Sequence, residues 1–93
     1  MIKSFADRQT EALYQGILVK GVAPDLARTT RRKLQRLDQA RTLRDLAAFP
    51  GNRLEKKLGD RAGQYCIWVD RQWRICFRWQ DGDAYNVWFG DYH

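Results

Sequence analysis

A chain of 93 residues, 44% hydrophobic and 13% aromatic with only two prolines, makes one domain (1–93) with no room for a second core or a long linker. Lys and Arg total 17 against 11 Asp and Glu, and the net charge of +6 suits a polyanionic partner as well as it suits plain solubility. One histidine and two cysteines without a CxxC pair exclude a zinc site, while the start, MIKSFADRQT, has no apolar leader and no run approaches the roughly 20 apolar residues that cross a bilayer.

IKSF (2–5) alternates apolar and polar residues and predicts a short strand. Asp7 then reads as an N-cap, with Glu11 near the first turn. Ala12, Leu13, Tyr14 and Ile17 give a modest helix that ends between Gly16 and Gly21. Pro24 and Asp25 open the clearest helix, near 24–40, whose positions Leu26, Thr30, Leu34 and Leu37 recur at helical spacing. Its other faces carry Arg28, Arg31, Arg32, Lys33 and Arg36, which is either a solvated face or a surface that tracks phosphates. TLRDLAAFPG gives a turn or short helix, broken at Pro50-Gly51.

From Asn52 the pattern changes to strands: RLEKKL, a GDRAG turn, then QYCIWV (64–69), QWRICFRW (72–79) and AYNVWF (84–89). Helices followed by a meander predict an α+β fold, two N-terminal helices packed on one face of a mostly antiparallel twisted sheet. The apolar residues facing those helices are all odd-numbered: Tyr65, Ile67, Val69, Trp73, Ile75, Phe77, Trp79, Tyr85, Val87 and Phe89. Directly paired residues share a face, so odd must oppose odd and both loops must be odd in length. The expectation is a three-residue turn at Asp70–Gln72, and a three-residue loop with Gly82 left-handed in place of a two-residue Asp81-Gly82 turn.

The even face then carries Cys66, Trp68, Arg74, Cys76, Arg78, Asn86 and Trp88, with Trp68 opposite Arg74 and Cys66 opposite Cys76. Two arginines and two tryptophans on a face without helices suit either a partner protein or single-stranded nucleic acid, with bases on aromatic planes and guanidinium groups on phosphates. The cysteines are expected as reduced thiols in a cytoplasmic protein.

The chain ends in Asp91, Tyr92 and His93. Cutting RNA without a metal takes a base for the 2′-hydroxyl, a cation for the phosphorane-like transition state and an acid for the departing 5′-oxygen. An imidazole can be base or acid near neutral pH, and Arg74 and Arg78 can clamp phosphate through forked donors. A terminal histidine is also commonly a bystander.

GNRLEKKLGDRAGQY (51–65), QWRICFRWQDGDAY (72–85), the closing DYH and the opening MIKSF together resemble the HigB branch of the RelE/ParE toxins, over nearly the whole chain. The resemblance implies a RelE-like fold and a type II toxin that enters the ribosomal A site and cuts mRNA there, with no cofactor or metal. It implies a helix-turn-helix, HigA-like antitoxin as partner, operator DNA reached only through that antitoxin, the ribosome with its mRNA as target, and no membrane. Asp91, Tyr92 and His93 match the functional C-terminal triplet of that branch, and Arg74 matches the arginine of its WRI strand. Arg31, Arg32, Lys33, Lys56, Lys57 and Arg61 fall in its ribosomal-RNA-facing segments, with Arg78, Trp68 and Trp88 as further RNA contacts. The chain departs from the branch at Glu55, where some members have histidine; Glu55 is either a substitute base or half of a structural salt bridge. It departs again in the Lys57-Leu58 order and in having tryptophan at both 68 and 88. The alternatives are a non-catalytic RNA- or protein-binding module of the same fold, acting as antitoxin co-repressor or against a topoisomerase, and an interaction protein whose Arg/Trp face is its partner surface.

Overall fold

The computed structural model describes residues 1–57 and 63–91. Arg61, Tyr92, His93 and most of the GDRAG turn lie outside the described residues. Among the described residues three helices, α1 (Arg8–Tyr14), α2 (Pro24–Gln39) and α3 (Leu43–Ala47), precede four strands, β1 (Glu55–Lys56), β2 (Gln64–Trp68), β3 (Trp73–Gln80) and β4 (Asp83–Asp91). The strands form one antiparallel sheet in the order β1-β2-β3-β4.

Local chemistry sets each helix. The Asp7 side chain accepts from the Thr10 N–H, as its N-cap reading requires. Pro24 sits where a missing N–H costs nothing. Thr42 and Asp45 form a reciprocal capping box that supports the five-residue α3. Leu13, Leu34, Leu37 and Leu46 from these helices meet Ile67, Ile75, Phe77, Val87 and Phe89 from the sheet in one core. The Trp73 and Phe89 rings stack within it at 5.0 Å. Thr10 Oγ1 accepts from the buried Phe89 N–H at 3.0 Å, tying α1 to β4.

The β2–β3 register agrees with the sequence: Ile67 pairs with Ile75, Cys66 with Cys76 and Trp68 with Arg74 across a 70–72 turn. The Asp70 carboxylate accepts from the Gln72 and Trp73 N–H groups and shapes that turn. The β3–β4 hairpin differs from expectation. Its loop is the two-residue Asp81-Gly82 turn, both residues left-handed (φ 52° and 82°), and Trp79 pairs with Ala84. Odd therefore opposes even near the turn, and Ala84, not Tyr85, enters the core. A bulge restores the parity: the register shifts between Cys76 and Arg78, Asn86 adopts φ 53°, and Ile75 faces Phe89 as expected.

The same bulge explains the N-terminal segment, which makes two isolated parallel bridges to β4, Ile2 to Ala84 and Phe5 to Val87, in place of a regular strand. Between them the Asn86 N–H donates to the Ser4 hydroxyl. Cys66 and Cys76, expected as thiols, are joined in a disulfide. Their direct pairing, with Cα atoms 4.1 Å apart, brings the two sulfurs together.

Candidate functional site

Alternation along β2, β3 and β4 sends Trp68, Arg74 and Trp88 to the face opposite the helices. Arg74 is buried, 8% exposed, although it lies outside the apolar core. Its guanidinium carbon stands 3.7 Å from the centroid of the Trp68 ring, and that of Arg53 stands 4.3 Å from the same ring. Stacking of this kind contributes about 0.5–1 kcal/mol in water and about 2 kcal/mol where the cation is desolvated. Arg74 Nη1 also donates to the Asp70 carbonyl, and to the Trp73 carbonyl at 3.1 Å. The cation is thus held by one ring and two backbone oxygens.

Glu55 reaches this cluster from β1. Its Oε1 accepts from the Trp68 indole N–H at 2.6 Å and its Oε2 pairs with Lys57 Nζ at 3.3 Å. The indole hydrogen bond, then Lys57 and the charge of Arg74, hold the Glu55 carboxyl below the ordinary glutamate range, against a burial contribution that raises it. Both carboxylate oxygens are thus engaged, one by the indole and one by the Lys57 ammonium.

On the next strand Gly90 pairs with Arg74, and the Trp88 ring lies over Gly90 so closely that an added Cβ would stand 2.0 Å from it. Asp91, the last described residue of β4, pairs with Trp73, so its side chain has the parity of the helix-covered face; its Oδ2 accepts from Gln72 Nε2 at 2.8 Å. The pleat separates Asp91 from the Arg74 guanidinium.

The remaining candidates disperse. Arg78 is exposed toward the other end of β3 and lines a shallow cavity of about 330 Å³ with Gly63, Tyr85 and Asn86. Arg31 donates to the Tyr14 carbonyl from α2, on the helix side of the sheet, and Arg32 and Lys56 are exposed. Lys33 turns inward: its ammonium donates to Asn52 Oδ1 at 2.9 Å and to the Trp68 carbonyl at 2.6 Å. Burial, then repulsion by Arg36 and Arg32, lowers its pKa from the ordinary lysine value. Its described contacts are internal to the fold.

Sequence reasoning missed Asn52, Arg53 and Asp70. The buried Asn52 donates to the Leu46 carbonyl, accepts from Lys33, and takes the Trp68 N–H on its own carbonyl, so it joins α3, α2 and the end of β2. Nothing in the local pattern marks it. Asp70 carried a usable signal, an aspartate opening an odd-length turn.

Comparison with known proteins extends this geometry. Residues 3–93 match a family described as the RelE-like toxin of type II toxin-antitoxin system HigB. The chain is 39% identical over 98 residues to Endoribonuclease HigB of Proteus vulgaris, covering 100% of both proteins. It is 35% identical over 88 residues to Toxin HigB-1 of Vibrio cholerae, covering 94% of this chain and 93% of that toxin.

Proposed function

Because the chain belongs to the HigB family of RelE-like toxins of type II toxin-antitoxin systems, we propose that it is a ribosome-dependent endoribonuclease that cuts mRNA in the A site by metal-independent acid–base chemistry. Membership of a type II system implies an antitoxin partner; the partner we propose is a helix-turn-helix protein that also carries the toxin to operator DNA. A ribosomal target sets the site of action in the cytoplasm, and no described helix is long and apolar enough to cross a membrane.

In the proposed reaction a base removes the proton of a 2′-hydroxyl, the 2′-oxygen bonds to the adjacent phosphorus, the bond to the 5′-oxygen breaks, and an acid protonates that oxygen. Arg74 neutralises the charge that gathers on the phosphorane-like state. His93 and Tyr92 supply the proton-transfer groups, and Asp91, bonded to Gln72, anchors the end of β4. The single observation that carries this reading is Arg74, a guanidinium buried beside the end of β4 on the face the helices leave bare. Gly90, next to the last described residue of β4, pairs with it. The exposed Arg32 and Lys56 serve as ribosomal RNA contacts.

The test is induction without antitoxin, with cuts mapped on ribosome-bound mRNA. Wild type arrests growth and cuts within the A-site codon. Arg74→Ala lowers cleavage by about 10²- to 10³-fold, the cost of losing one transition-state charge donor, and His93→Ala relieves the arrest while circular dichroism shows a folded protein. Full toxicity of both variants excludes the mechanism.

A further inference from the structure

We propose that Trp68 is a positioning residue for Arg74 and that Glu55 sets the indole in place, a relay that rests on the reading of Arg74 as the phosphate-binding group. A tryptophan on this face reads from sequence as a platform for a base. Arg74 and Arg53 both stack on that indole, so the ring already serves as a support for cations.

An arginine side chain turns about four bonds, and a bidentate fork works only when its plane and its rotation within that plane are both defined. The Trp68 ring defines the plane, at 3.7 Å. The Asp70 and Trp73 carbonyls, both bonded to Nη1, define the rotation. Among the described residues nothing takes up the Nε–H and Nη2 donors, and these form the side of the guanidinium that grips two phosphate oxygens. Trp68 is fixed in turn by the 2.6 Å bond from its indole N–H to Glu55. The sequence runs from carboxylate to indole to guanidinium, across β1, β2 and β3.

The experiment uses the whole chain as wild type, Trp68→Leu and Trp68→Phe, with cleavage of ribosome-bound mRNA resolved into kcat and KM. Trp68→Leu lowers kcat by about 10- to 100-fold, the scale of an ångström-sized misplacement, with KM changed by less than about threefold. Trp68→Phe, which keeps a ring under the guanidinium, recovers most of the loss. A raised KM with unchanged kcat makes Trp68 a binding platform and overturns the proposal, as does full kcat in Trp68→Leu. A second readout needs no activity: the Arg74 Nε–H resonance carries the ring-current shift of the indole, and Trp68→Leu removes it. An unmoved resonance overturns the positioning role. A wild type that shows the shift but leaves mRNA intact sinks the nuclease reading and leaves the positioning standing. Should Trp68→Leu fail to fold, Glu55→Ala loosens the indole and moves the same resonance part of the way; no movement there also overturns the relay.

Discussion

The two faces of the sheet bury residues for opposite reasons. Toward the helices, Ile67, Ile75, Phe77 and Val87 are all fully buried among leucines, and what is removed from water is hydrocarbon. Toward the other side, a charged Arg74 is buried with a stacked indole and two carbonyls for company. Burying a guanidinium carries a desolvation cost that an apolar residue at the same position avoids. The first face is what folding needs. The second keeps a charge at a set angle, which folding does not need and phosphate chemistry does.

That contrast breaks first at Phe77. Phe77→Ala empties the centre of the helix-covered face and is expected to cost about 3–5 kcal/mol, read as a lower urea midpoint with an unchanged m-value. A loss below about 1 kcal/mol removes the premise that this face carries the stability. The next effect belongs to the bare face. In Gly90→Ala the new Cβ meets the Trp88 ring at 2.0 Å, and the ring must leave its seat. Overpacking of this order costs about 1–3 kcal/mol, seen as a lower Tm together with a changed tryptophan emission. An unchanged Tm shows that Trp88 does not pack on Gly90 in solution.

Plain alternation exposes the two faces, which is why the β2–β3 register and the opposition of Trp68 to Arg74 are legible in the sequence alone. It hides the β3–β4 hairpin because it has no way to register an extra residue. Asp81 and Gly82 both accept left-handed backbone, and so does Asn86 five residues on, where the bulge absorbs the parity error of the short turn. An asparagine inside AYNVWF was the one local hint. The even face reads from sequence as separate contacts for RNA or a partner protein, because sequence reports which side a residue faces and not what its tip reaches. Glu55 lies two strands from Arg74, and the 2.6 Å bond to Trp68 joins it to the ring on which that guanidinium stacks. Lys33, counted with the basic face of α2, has a stem long enough to turn inward to Asn52.

The smallest effect is acid sensitivity on the bare face. The Trp68 hydrogen bond lowers the Glu55 pKa, so the unfolded chain takes up this proton at a higher pH than the folded one. The stabilisation is present above the ordinary glutamate range and is lost as pH falls through the lowered value. The Glu55 side chain is 42% exposed, and solvent screening keeps the contribution to that of a surface ion pair, no more than about 1 kcal/mol. Glu55→Gln therefore lowers Tm slightly at pH 7, and the gap to wild type closes toward pH 3. A gap that stays constant over that range means that the carboxylate charge plays no part in holding the indole, and the face would then be kept in shape by stacking and the carbonyls alone.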